Sequence, residues 1–165
     1  MRRSVTAASA ILAGMIVVAC GGSGGGGGGT GGAPAKAACV NAGAAHHAYV
    51  VVEHQNGREV QRCVGFDGAG IGGEQLMKKS GIELQTQTYS FGKAVCQLDH
   101  EPKSFSQCLP KNAPYWSMFV YRKGAGWQTP QTGYTGVTVS DGGALGWRYV
   151  PASEASPSPP PAPSA

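Results

Sequence analysis

Residues 48–64 read "AYVVVEHQNGREVQRCV". Two runs of β-prone residues, Tyr49 to Glu53 and Glu59 to Val64, flank Asn56-Gly57. An Asn-Gly pair between such runs is the strongest short-range hairpin signal, because both residues tolerate the positive φ angles of a tight turn. The chain therefore starts a sheet here, and the downstream elements must extend that sheet or cover it.

Downstream, "GIGGEQLMKKSGI" predicts one short helix from Gly73 to Ser80. Glu74 lies in its first turn, Lys78 and Lys79 in its last, and Gly81 stands where a left-handed cap ends a helix, so charge and cap both suit the helix dipole. Beyond it, "IELQTQTYS" alternates Ile82, Leu84, Thr86 and Thr88 against polar partners, and "KAVCQL", "YWSMFVY", "GVTVS" and "LGWRYV" read as further strands. The segment Cys39 to Val150 is thus expected to form a small α+β domain. Its mixed or antiparallel sheet would have about five or six strands, with the helix on one face.

The flanks have a different composition. Of 165 residues, 27 are glycine and 11 proline, and the excess concentrates in Gly21 to Ala38 and in the tail "PASEASPSPPPAPSA", Pro151 to Ala165. The tail is expected to be an extended, polyproline-like or disordered end that buries nothing, either a wall-spanning spacer or a frayed end. At the other end, Met1-Arg2-Arg3 precedes an apolar run from Val5 to Val18. That run is shorter than the roughly 20 residues a spanning helix needs, so residues 1–19 read as an export signal. The ending Val17-Val18-Ala19-Cys20 resembles the bacterial lipobox, which implies a lipid on Cys20 and cleavage just before it; the alternative is an ordinary secreted protein. With an anchor at Cys20, the glycine-rich coil is a tether that holds the domain roughly 20–25 Å from the membrane. The implied location is the outward-facing surface of a bacterial membrane.

Export agrees with the cysteines. With Cys20 set aside, Cys39, Cys63, Cys96 and Cys108 form an even set suited to disulfides. Cys96 and Cys108 bracket the polar, turn-rich "QLDHEPKSFSQ" and are expected to pair, leaving Cys39 for Cys63. Each bridge would constrain the unfolded chain by roughly 3 kcal/mol. A metal site is not expected, since no C-x-x-C occurs and His46, His47, His54 and His100 have no ligand spacing tied to the thiols. No cofactor is expected either.

Charge excludes one class of partner. The formal charge of +4 falls to +2 without Arg2 and Arg3, and the remaining basic residues are scattered, so nucleic acid is not a predicted partner. No catalytic constellation is apparent. Asp67, Asp99, Glu101 and Asp141 mostly sit beside Gly or Pro in turn-like contexts, and the dense cluster Asp99-His100-Glu101 reads as a solvated turn. "GFDGAGIGG" lacks both the spacing of a dinucleotide loop and a Gly-Lys-Ser/Thr ending. The chain is read as a non-enzyme.

The order of hairpin, glycine-closed helix, "AVCQLDHEP", "YWSMFVYRKGAGWQ" and terminal "VSDGGALGWRY" resembles the transcobalamin-like C-terminal domain, a β-grasp-related module of bacterial surface lipoproteins. The resemblance spans roughly Tyr49 to Tyr149 and is carried best by Tyr115-Trp116-Ser117 and Gly146-Trp147-Arg148-Tyr149. The helical half of the vitamin carriers is absent from this sequence, and the family's Gly-x-Thr-Ala-Leu helix start is replaced by Gly73-Glu74-Gln75-Leu76. The resemblance implies that the aromatic strand and the GWRY strand are neighbours holding a small ligand, cobalamin or another corrinoid being the kind it suggests. Tyr115, Trp116, Trp127 and Trp147 would then present rings and Arg148 would take a carboxylate or phosphate.

Along "YWSMFVY", one face carries Tyr115, Ser117, Phe119 and Tyr121 and the other Trp116, Met118 and Val120. One face must be core, and the rings could equally all be core. Two functions are compatible with these readings. One is a ligand-binding accessory to nutrient uptake, with a vitamin transporter as partner; the other is a structural or protein-interaction module of the cell envelope.

Overall fold

The computed structural model describes residues 38–164. The signal segment, Cys20 and nearly all of the tether lie outside the described residues. Within them, the chain forms β1 (His46–Glu53), β2 (Glu59–Phe66), β3 (Ile71–Gly72), α1 (Gly73–Ser80), β4 (Leu84–Tyr89), β5 (Gly92–Leu98), β6 (Tyr115–Arg122), β7 (Gly126–Gln128), a 3-10 turn (Tyr134–Gly136), β8 (Thr138–Val139) and β9 (Ala144–Val150).

The domain is mostly sheet with one short helix. Five strands pair in the order β2-β1-β9-β6-β7. The β1–β9 pair is parallel and its neighbours are antiparallel, so the sheet is mixed. The Asn56-Gly57 hairpin forms as its residues require: Gly57 takes φ 78°, and the Asn56 side chain accepts a bond from the Arg58 amide. The helix has the bounds its sequence predicts, and Gly81 closes it at φ 70°. Leu76 and Met77 are buried on its inner side.

Not every predicted strand joins the main sheet. β4 and β5 form a hairpin of their own, and β8 pairs only with the two-residue β3. β4 is nearly all Gln and Thr and is largely exposed, so it has no apolar face with which to enter a core sheet.

Strand alternation sorts the five-stranded sheet into two faces. On the inner face, Val50, Val52, Val64, Phe66, Trp116, Val120, Leu145, Trp147 and Tyr149 pack with Leu76 and Met77 of α1 and with Tyr134. By register, the outer face carries Tyr49 and Val51 of β1, Gln61 and Cys63 of β2, Phe119 and Tyr121 of β6, and Gly146 and Arg148 of β9. Val51 and Phe119 are buried nonetheless.

The tail lies against that outer face. Pro160 is buried, Ser158 bonds Arg148, and Ser164 bonds Gln61. The tail is extended as expected, but the expectation that it buries nothing is corrected. Apolar strands exposed on both sides need a second cover, and this segment supplies it. Both expected cysteine pairs come together, Cys39 with Cys63 and Cys96 with Cys108, at Cα separations of 4.4 and 4.0 Å.

The start of α1 tests this packing. A Cβ on Gly73 would stand 2.1 Å from the Tyr134 carbonyl oxygen, whereas one on Gly72 would meet nothing within 4 Å. Gly73→Ala should therefore destabilise by about 1–3 kcal/mol or more, with Gly72→Ala nearly neutral, as measured by denaturant unfolding.

Candidate ligand-binding cleft

Between β5, β6 and the loop leading into the 3-10 turn lies a cleft of about 270 Å³. Its walls include Phe91, Val95, Leu109, Tyr115, Trp116, Met118, Tyr134 and Trp147. β6 and β9 place Trp116 and Trp147 as diagonal neighbours on one face, since Met118 pairs with Trp147 and Trp116 with Tyr149. Tyr134 meets Trp147 edge-on with ring centroids 6.0 Å apart. At the rim, Phe91 and Leu109 are two of four exposed large apolar side chains among the described residues.

The polar atoms of the cleft differ in whether they are satisfied. The Trp116 indole donates to the Glu101 carbonyl at 3.0 Å. The Trp147 Nε1–H is buried and has no partner. A buried donor left unbonded costs about 1–3 kcal/mol. Lys93, also on the wall, is paired with Glu74, and that bond raises its ammonium above the usual lysine range. Burial pushes the Tyr134 hydroxyl up, so it stays protonated through the physiological range.

The cleft gathers part of the predicted set. Tyr115, Trp116 and Trp147 line it. Trp127 and Arg148 do not: Trp147 and Arg148 are consecutive on one strand and so face opposite sides of the sheet. Trp127 packs with Tyr121 on the outer side. Arg148 is engaged by Glu53 at 3.4 Å, Glu154 at 2.5 Å and the Ser158 hydroxyl at 2.8 Å, so its expected role in holding a ligand acid in this cleft is corrected. Phe91, Leu109 and Tyr134 had no local signal, because the β4–β5 hairpin, the loop tied by Cys108 and the 3-10 turn bring them in from separate parts of the chain.

A larger groove of about 610 Å³ runs beside the Cys96–Cys108 loop and shares Tyr115. Its lining contains no unbonded buried side-chain donor or acceptor among the described residues.

Behind the cleft lies a charged cluster. His54 is buried at the end of the hairpin's first strand, with Nδ1 2.7 Å from Glu101 and Nε2 3.1 Å from Asp99 and 2.7 Å from Arg58. Arg58 also donates to Asp99 at 2.8 Å. The reading of Asp99-His100-Glu101 as a solvated turn therefore holds for exposed His100 but not for the two acids, which are partly buried. The carboxylates flank opposite edges of one ring and cannot converge with it on a single ion. No group of three or more metal-capable residues occurs among the described residues.

No protein-family model and no curated protein matches the chain. A crystal structure of a proposed metal-binding protein from Ruminococcus gnavus superposes with a TM-score of 0.47 and 19% identity, over 64% of this chain and 97% of that one.

Burial alone would raise the Asp99 carboxyl, but hydrogen bonds from Arg58 and His54 outweigh it and hold the group below the usual aspartate range. A carboxyl depressed in the folded state stabilises at neutral pH and loses that contribution as pH falls through its folded value. Asp99→Asn should lower the melting temperature at pH 7, and its difference from the parent chain should shrink below about pH 4. Calorimetry at a series of pH values checks this; a constant difference would deny the carboxylate its role.

Proposed function

We propose that this chain is a non-catalytic binding module exported from a bacterial cell, anchored through a lipid on Cys20 and held clear of the membrane by its glycine-rich tether. Its ligand is a small, flat, largely apolar molecule with one hydrogen-bond acceptor, bound in the cleft. The observation that carries the reading is the unbonded Trp147 indole N–H in a wall of aromatic rings.

The β-grasp assignment, in the form of the transcobalamin-like C-terminal domain, belongs to the same proposal. It is supported by a short helix laid on one face of a mixed sheet and by the adjacency of the Tyr115-Trp116-Ser117 strand to the Gly146-Trp147-Arg148-Tyr149 strand. The size of the cleft narrows the ligand. An apolar cavity of about 150 Å³ encloses a benzene-sized molecule, so about 270 Å³ suits one or two fused rings. A corrinoid could engage it only by an edge. A vitamin transporter remains the partner that the family resemblance implies. The second reading, an envelope interaction module, is favoured by the way the tail lies on the outer face.

Trp147→Phe and Trp116→Phe remove the same volume from the same core but differ in hydrogen bonding. The first deletes a donor without a partner; the second removes one of two donors to the Glu101 carbonyl, which keeps its bond from the Leu98 amide. Trp116→Phe should therefore cost more stability, by about 1 kcal/mol. In a binding screen of bicyclic aromatic acids and amides, with cobalamin included, Trp147→Phe should weaken the best binder about tenfold while the domain stays folded. Absence of any binder, or affinity indifferent to Trp147→Phe, would move the function to the envelope reading.

A further inference from the structure

The proline-rich tail is arranged like a ligand. Glu154, Pro157, Pro160 and Pro163 are wholly or partly buried, and every residue between them is exposed. Burial at every third position is the signature of a polyproline II segment laid on a surface, since that helix has three residues per turn. The sheet is shaped to receive it. Ser158 is held by Arg148 of β9. Pro160 sits over Gly146, its Cγ 2.9 Å from where a Cβ on that glycine would be, beside the Trp127 ring at 2.5 Å from the same point. Pro163 lines a depression with Tyr49 and Tyr121. Ser164 donates from its amide to Gln61 at 3.0 Å, and its carbonyl accepts from the Gln61 amide at 2.6 Å, on β2. Side-chain-free Gly146 makes the floor, and aromatic rings make the walls.

We propose that the outer face of the sheet is a recognition groove for polyproline segments, that residues 157–164 are its resident occupant in cis, and that an uncharged proline-rich segment of another envelope protein, with prolines at every third position, displaces them. Two observations favour an exchangeable occupant over a permanent strap. The hydrogen bonds joining residues 157–164 to the sheet are few, made by the side chains of Arg148 and Gln61. The Trp127 indole N–H is buried without a partner, so a segment that brought a carbonyl to it would gain what the tail forgoes. The charge on Arg148 is already met by Glu53 and Glu154, which suits a neutral segment. The groove lies on the face opposite the ligand cleft and stands or falls without it.

Because a cis occupant competes at high effective concentration, the intact chain should bind such segments weakly. Removing residues 157–165 should raise affinity roughly tenfold or more. The probes are a synthetic peptide of sequence ASPSPPPAPSA, residues 155–165, and a same-composition peptide with its prolines out of the three-residue period, titrated by calorimetry. Preferential binding of the first to the shortened chain, lost in Trp127→Ala, supports the groove. Equal binding of both peptides, or no binding by a folded shortened chain, overturns it.

Should the shortened chain not fold, the intact chain decides. Pro157, Pro160 and Pro163 all changed to Ser should free residues 157–164 in NMR relaxation, whereas Pro159 and Pro161 changed to Ser should leave them docked. Equal effects of the two sets overturn the proposal. Concentration-dependent dimers abolished by the first set would overturn the partner assignment and give the groove to a second copy's tail.

Discussion

The central strands of this domain are apolar on both sides, and the described residues hold one α-helix. β1 places Val50 and Val52 inward and Val51 outward, and all three are almost wholly buried. β6 does the same with Trp116 and Phe119. A buried aliphatic or aromatic side chain contributes about 1.5–3 kcal/mol, so leaving the outer row wet would forfeit a large share of a small domain's stability. Strands buried on both faces belong to sheets covered on both faces. α1 covers the inside, and the outside is left to the Trp127 ring and the proline-rich tail. Proline suits that task. A segment without amide donors at most positions can lie across strands without leaving many buried N–H groups unmet, and its stiffness means that little conformational entropy is lost on docking.

The same two-sidedness accounts for the placement of the unsatisfied polar groups. Among the described residues, the buried side-chain donors without partners are the indoles of Trp127 and Trp147, one on each face of the sheet. A fold optimised for stability alone would replace such indoles with phenylalanine.

What could be read from the residues was local. Asn56-Gly57, the charges and glycine of α1, and the short Cys96–Cys108 loop each depend on neighbours a few positions away, and each forms as expected. The site residues were only half legible. Trp147 and Arg148 were grouped because they are adjacent, although adjacency on a strand separates them by a sheet's thickness. The tail was legible as an extended proline-rich segment, but neither its burial at Pro157, Pro160 and Pro163 nor a surface to receive it was. The cluster of His54 with Asp99 and Glu101 spans more than 40 positions, and nothing near His54 announces it beyond its inward place in the alternation of β1.

That cluster and the second cysteine pair explain how a polar, turn-rich loop can serve as a wall of the cleft. Residues 99–114 carry few apolar side chains, so the loop has little hydrophobic reason to stay in place. It is fastened at both ends instead. Glu101 bonds His54 through its carboxylate and Trp116 through its carbonyl, which joins the charged cluster directly to a ring of the cleft. Cys108 is tied back to Cys96 of β5, next to Leu109 at the rim. The disulfide holds where thiols stay oxidised, and the charged cluster holds where Asp99 keeps its charge. The buried rings of Trp116, Trp147 and Tyr134 then keep their packing beneath the cleft, because the backbone of this wall is anchored independently of them.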